Sequence, residues 1–119
     1  LEELDASLTR LVDRLRTLIS QSEETSVYDV HQRIDRDFMD DLGTFADARE
    51  SMIPQFGLQE YADIMSLFAG GERLINRAWS ASADGYVDEV WTCIENAEKQ
   101  LSFAQALFQE HQAALQKNE

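Results

Sequence analysis

The chain of 119 residues is 44% hydrophobic and has one proline and five glycines, a composition that permits one core and long regular elements and argues against disorder or a loop-rich β architecture. Its 23 acidic and 10 basic side chains give a formal net charge of −13, which argues against binding to nucleic acid or a membrane surface, because both are anionic. A basic protein is the partner that this charge favours, although the same charge can simply keep a protein soluble.

The first two predicted helices span residues 2–20 and 26–53. In the first, the apolar residues recur three and four positions apart, which places them on one face of a helix; they are Leu1, Leu4, Leu8, Leu11, Val12, Leu15, Leu18 and Ile19. Ser26 is a suitable N-cap for the second helix, with Asp29 in its first turn. Because a proline disfavours helical geometry in the residue before it, the second helix is expected to end at Ile53, before Pro54.

The third and fourth predicted helices span residues 58–80 and 84–117. Gly70 and Gly71 lie in the middle of the third helix, where they should weaken it, and they predict either a kink or a close contact with another helix. A short polar stretch leads to Asp84, the candidate N-cap of the fourth helix. The fourth helix has the most regular apolar pattern, with steps of three and four residues at Val87, Val90, Ile94, Ala97, Leu101, Ala104, Phe108, His111 and Leu115.

Short polar connections between long amphipathic helices favour antiparallel neighbours. We therefore predict an all-α fold, an antiparallel up-down-up-down four-helix bundle that forms a single domain over residues 1–119. At about 1.5 Å per residue the fourth helix would be roughly 48 Å long and the first roughly 29 Å, so one end of the fourth helix should project beyond its neighbours.

Familiar catalytic and ligand-binding motifs are missing from the sequence. It contains no glycine-rich phosphate loop, no nucleophile elbow, no HExxH or CxxC pair and no EF-hand loop. Neither histidine follows a glutamate at the spacing that di-iron bundles use. We predict a protein that is not an enzyme and that has no catalytic residues, cofactor or metal. The single cysteine, Cys93, cannot form an internal disulfide, which together with the lack of a signal-like stretch favours a cytoplasmic location.

Three polar residues fall on or beside apolar helix faces, where an unpaired polar group is costly to bury. Asp41 lies near the centre of the apolar face of the second predicted helix, and His31 lies at the edge of that face. Glu72 lies near the centre of the apolar face of the third predicted helix. In an antiparallel pair of helices, His31 and Glu72 fall at about the same height and could form a hydrogen bond. These residues define a candidate polar pocket between the second and third helices. The alternative is that they reach water at the edge of each stripe.

Several apolar residues lie outside the predicted core or on the projecting end of the fourth helix. Phe103 points about 130° away from the apolar centre of that helix, between Lys99 and Glu110, and is expected to be exposed. The candidate interaction surface consists of Phe103, Trp91, Leu67, Leu74, Phe108 and Leu115. Scattered surface apolar groups are common, but the projecting helix end favours a contact with a protein partner, most simply a homodimer.

Three functional hypotheses fit this sequence. The first is a protein–protein interaction module that self-associates through apolar contacts, which resist salt. The second is an acidic inhibitor or immunity-type protein that mimics nucleic acid in the basic site of an enzyme and binds in a salt-sensitive way. The third is a ligand-binding bundle or enzyme that uses His31, Asp41 and Glu72. The first is preferred because the sequence lacks recognisable catalytic motifs.

Overall fold

The computed structural model describes residues 1–117 of the chain. Within this range the chain is helical and contains no strand, so the predicted all-α class is confirmed. The α-helices are α1 (Glu2–Ser20), α2 (Val30–Asp37), α3 (Met39–Ala48), α4 (Met52–Phe56), α5 (Leu58–Asp84) and α6 (Val87–Lys117). Two short 3₁₀ turns lie at Val27–Asp29 and Arg49–Ser51.

One apolar core connects all of these helices. Helix α1 packs against α3 and α6, whereas α5 packs against α2, α4 and α6. The apolar stripe of the fourth predicted helix is buried, since Val90, Ile94 and Leu101 each have no exposed surface. Each such side chain contributes roughly 1.5–3 kcal/mol through the removal of apolar area from water. Among residues 1–117, no helix combines the length and apolar character needed to cross a membrane.

The second predicted helix is not continuous. Its residues form a 3₁₀ turn, α2, α3, a second 3₁₀ turn and part of α4, and the prediction of one helix over 26–53 is wrong. The first break lies at Phe38, whose backbone (φ −121°, ψ −29°) departs from helical values while its side chain stays buried. The break allows α2 to pack on α5 and α3 to pack on α1. Apolar spacing continued across this break, so the sequence pattern did not reveal it.

Pro54 does not end a helix but lies within α4. A proline is tolerated in the first turn of a helix because the backbone N–H that it lacks has no intrahelical partner there. The chain turns at Gly57 instead, with φ 93° and ψ 163°, a backbone conformation that essentially only glycine adopts. Helix α5 starts at the next residue, Leu58, as predicted.

Helix α5 is longer than predicted and α6 begins later. Helix α5 continues through the small polar residues after Ser80 and ends at Asp84, so Asp84 closes a helix and is not the N-cap of the next. Gly85 adopts a left-handed conformation (φ 85°), and the Tyr86 amide donates to the Ala81 carbonyl at 2.8 Å, which satisfies the end of α5. The polar composition of this segment therefore marks a helix end with a buried serine, Ser82, and not a loop.

The paired glycines allow α5 and α6 to approach closely. A Cβ atom on Gly71 would lie 2.6 Å from the Leu101 Cγ atom, closer than packed atoms allow. One on Gly70 would lie 2.9 Å from the Gln100 side-chain oxygen. Helix α5 runs through both glycines without interruption. The close helix contact, one of the two predicted alternatives, is therefore present.

Candidate functional site

Asp41 is buried and binds two arginines of another helix. Its side chain is 6% exposed, and Oδ1 accepts from Arg10 Nε at 3.0 Å while Oδ2 accepts from Arg14 Nη1 at 3.0 Å. The hydrogen bond to Asp41 and its negative charge raise the pKa of the Arg10 guanidinium. The Asp41 carboxylate thus ties α3 to α1. Because these arginines satisfy both of its oxygens, Asp41 does not contribute to a pocket between the second and third predicted helices.

His31 is half-buried and binds Ser82 of α5. The Ser82 hydroxyl donates to the Val27 carbonyl at 2.5 Å, and it accepts from the His31 backbone N–H at 3.0 Å. The His31 Nδ1 atom lies 3.1 Å from the same hydroxyl oxygen. Since a hydroxyl has one hydrogen to donate, Nδ1 carries the proton of this contact. Ser82 therefore joins the start of α2 to the end of α5 and fixes the orientation of the imidazole.

Glu72 does not contact His31 in the described structure, so the predicted hydrogen bond between them is wrong. Glu72 is partly exposed on α5. Ser82, the actual partner of His31, lies roughly 15 Å further along α5, from a rise of about 1.5 Å per residue. Counted from the predicted ends at Ile53 and Leu58, an antiparallel pair of helices in fact places His31 opposite Ser80, close to its actual partner, and not opposite Glu72. The structure therefore does not bring His31, Asp41 and Glu72 together into one polar pocket.

Trp79 continues the apolar spacing of the third predicted helix but lies at the surface. Its side chain is 37% exposed, and its indole Nε1 donates to Asp35 Oδ1 at 2.9 Å. The His31 ring packs nearly perpendicular to the indole, with ring centroids 5.6 Å apart. An open groove of about 350 Å³ lies beside it, lined by Asp35, Met39, Asn76, Trp79 and Ser80. Apolar spacing alone gave no signal for this groove, since Trp79 continues the α5 stripe.

The outer strip of α6, defined here as Lys99, Phe103, Ala106 and Glu110, is exposed to solvent. These residues lie on one face of the helix because they are spaced four, three and four positions apart. Phe103 is 63% exposed, in agreement with its predicted position. The strip thus presents one large apolar side chain between a cation and an anion.

The other members of the predicted interaction surface are less exposed. Phe108 has no exposed surface because Phe56 of α4 packs against it, with ring centroids 5.4 Å apart, so its assignment to an open surface is wrong. Phe56 also contacts His111, with centroids 5.6 Å apart. The short helix α4 thus covers the part of α6 that was expected to project. Trp91, Leu67 and Leu74 are partly buried against the core, and Leu115 is partly buried near Phe56.

A larger fraction of the arginines than of the acidic side chains takes part in ion pairs. Within residues 1–117, seven arginines engage five carboxylates, which are Asp41, Glu98, Asp37, Glu50 and Glu89. Hydrogen bonds from Arg36 and Arg33 lower the pKa of Asp37, against the opposing effect of burial. Burial alone would raise the pKa of Glu98, but hydrogen bonds from Ser102 and Arg16 outweigh it and lower that pKa. Most acidic side chains of residues 1–117 therefore face solvent without an arginine or lysine partner.

Cys93 is buried on the side of α6 that faces α5. It is 6% exposed, and burial raises the pKa of its thiol, which reduces its reactivity. Within residues 1–117, no three histidine, cysteine or acidic side chains are grouped in a way that could hold a metal ion. No protein-family model matches the chain, and no curated protein or solved structure shows significant similarity to it.

Proposed function

We propose that this protein is a non-catalytic interaction module that self-associates through the outer strip of α6. The observation that carries the proposal is Phe103, a large apolar side chain that is 63% exposed at the middle of a long, regular helix. Aromatic side chains in such positions are enriched at the contact centres of protein interfaces. The contact is a homodimer formed by two copies of α6.

The order of residues along the strip supports an antiparallel pairing. If a two-fold axis passes between Ala104 and Gln105, Phe103 of one copy faces Ala106 of the other, so a large side chain meets a small one. In the same register Lys99 faces Glu110, so a cation meets an anion. A two-fold axis repeats each contact. The strip is therefore complementary to itself in both size and charge.

The expected dimer is weak, because its area is small. Burying one phenylalanine from each copy contributes roughly 1.5–3 kcal/mol per side chain. Exposed ion pairs add at most about 1 kcal/mol each, and association itself costs several kcal/mol. We expect a Kd between about 1 μM and 1 mM, so the self-association should be measured across that range.

The test is the solution mass as a function of protein concentration, measured by sedimentation equilibrium. Phe103→Asp should abolish the concentration-dependent increase in mass. The matched control is Tyr86→Asp, which places the same charge at another exposed aromatic residue, 67% exposed and outside the strip. A wild-type protein that stays monomeric throughout, or two variants that lower the mass equally, would contradict the proposal.

A charge exchange tests the register itself. Lys99→Glu and Glu110→Lys should each weaken the dimer, because like charges then face each other across the two-fold axis. The double variant restores both opposite-charge pairs and should recover most of the wild-type affinity. Single effects without recovery in the double variant would exclude this register.

The arrangement assumed for the monomer is the antiparallel up-down-up-down bundle, as a single domain over residues 1–119. What supports it is the short connection at Gly57 and the left-handed turn at Gly85, each of which suits antiparallel neighbours. The charge pattern favours a basic protein as any second partner. A cytoplasmic location fits the single, buried thiol.

A further inference from the structure

A second surface, separate from the outer strip, lies where the α2–α3 junction meets α5. We call it the Trp79 groove, defined by Asp35, Met39, Asn76, Trp79 and Ser80, and its volume is about 350 Å³. This volume falls within the range of roughly 300–1,000 Å³ that is typical of ligand-binding clefts. Two of its walls are apolar side chains that are unusually open, since Met39 is 46% and Trp79 is 37% exposed.

The indole and the carboxylate of this groove are held in place before any ligand binds. The Trp79 Nε1–H donates to Asp35 Oδ1 at 2.9 Å, which fixes the edge of the ring relative to the acid. The His31 ring packs against the indole and is itself anchored by Ser82. A ligand therefore does not have to order either side chain, which lowers the entropic cost of binding.

The Asp35 carboxylate has no cationic partner within residues 1–117. The arginines that flank Asp35 in the sequence, Arg33 and Arg36, both bind Asp37. Arg77 of α5 binds Glu89. Oδ1 of Asp35 accepts the indole hydrogen bond, and Oδ2 makes no hydrogen bond in the described residues. The groove thus combines an exposed aromatic ring with an acid that lacks a counterion, on a chain whose net charge is −13.

We propose that the Trp79 groove binds a lysine or arginine side chain of a basic partner peptide. The positive head group would lie against the indole in a cation–π contact and pair with the Asp35 carboxylate. The methylene stem of the same side chain would pack against Met39, whose flexible thioether adapts to such chains. Asn76 and Ser80 offer polar atoms at the rim of the groove.

Other classes of ligand fit the groove less well. An acidic or phosphorylated group would be repelled by Asp35 and by the overall charge. A purely apolar side chain would displace water from the Asp35 carboxylate and offer it no hydrogen bond in return, and burial of an unpaired carboxylate is costly. Only a cation with an apolar stem satisfies both the ring and the acid.

The test is a titration with an acetylated and amidated peptide, Ala-Leu-Arg-Leu-Ala, followed by the indole N–H signals in ¹H–¹⁵N spectra. The reference is the same peptide with citrulline in place of arginine, which keeps the shape and removes the charge. Trp79→Phe identifies the Trp79 signal, and the Trp91 signal is the internal control. We expect the arginine peptide to shift the Trp79 signal and the citrulline peptide to bind about tenfold more weakly.

A matched pair of variants separates the groove from the general charge. Asp35→Asn keeps an oxygen that can accept the indole hydrogen bond but removes the charge, and it should weaken the arginine peptide about tenfold. Asp63→Asn removes one charge from an exposed position of α5 outside the groove and should change the affinity less than about twofold. Equal binding of the two peptides, equal effects of the two variants, or no shift at about 10 mM peptide would each overturn the proposal. None of these outcomes bears on the α6 dimer, whose test is the solution mass.

Discussion

Asp41→Asn should lower the free energy of unfolding by about 2 kcal/mol. The substitution keeps the shape of the side chain but removes the charge that accepts hydrogen bonds from Arg10 and Arg14. Hydrogen bonds to charged groups are each worth roughly 1.5–3 kcal/mol, whereas breaking a fully buried ion pair costs roughly 3–5 kcal/mol. The expected loss in unfolding free energy is closer to the value for a single charged hydrogen bond than to that for a fully buried ion pair. The reason is that both arginine side chains are about half exposed (48% and 46%) and are hydrated again when they are released.

The matched control is Asp40→Asn, an exposed neighbour in the same first turn of α3. Both variants lose the favourable interaction of an acid with the helix N-terminus, so their difference isolates the contact with the arginines. In urea unfolding monitored by circular dichroism, the control should lose less than about 1 kcal/mol. For a chain of this length a 2 kcal/mol loss lowers Tm by about 8 °C. Equal losses in the two variants would refute the claim that Asp41 anchors α3 to α1.

Gly71→Ala should destabilise the protein by about 1–3 kcal/mol, because the new Cβ atom would meet Leu101 at 2.6 Å. Gly43→Ala has no atom within 4 Å of its new Cβ and should instead stabilise by about 0.5–1 kcal/mol through helix propensity; urea unfolding that ranks the two alike would contradict the close contact. Glu98 has a lowered pKa in the folded chain, so its contribution is present above the unfolded pKa and lost as the pH falls through the folded value. Glu98→Gln should therefore be less stable than wild type at pH 7 by under about 1 kcal/mol, and a difference that persisted unchanged at about pH 3 would contradict this.

The parts of the fold that the sequence predicts well are those where one apolar stripe meets one continuous surface. Helix α1 buries its apolar face from Leu4 to Leu18, and α6 buries its own from Val90 to Phe108. The second predicted helix failed because its two halves have different main neighbours. Helix α2 packs on α5, whereas α3 packs on α1 while its Phe45 still stacks on Phe68 of α5. A single nonhelical residue, Phe38, permits this change of partner without disturbing the three-and-four spacing, so no periodic pattern could show it.

The candidate surfaces were predictable only in part. Phe103 stood out because it interrupts a polar face, and the structure leaves it exposed. Trp79 lay within an apolar stripe, and only its contact with Asp35 on a separate helix reveals that it lines a groove. Phe108 was expected to be exposed, but Phe56 of α4 covers it. Phe56 directly precedes the turn at Gly57, and the apolar pattern did not predict the direction of that turn.

The break at Phe38 links the most informative features of the molecule. Asp41, on the α3 side, turns toward α1 and meets two arginines, while Asp35, on the α2 side, turns toward α5 and meets the Trp79 indole. At about 100° per residue, Asp35 and Asp41 lie about 120° apart around a helix axis, so the two acids point to different neighbours on the two sides of the break. Asp41 therefore has a structural role, whereas Asp35 lies beside an open aromatic groove. Arg10 and Arg14 already neutralise Asp41. Of the two acids, Asp35 is therefore the one whose charge can bind a cationic partner.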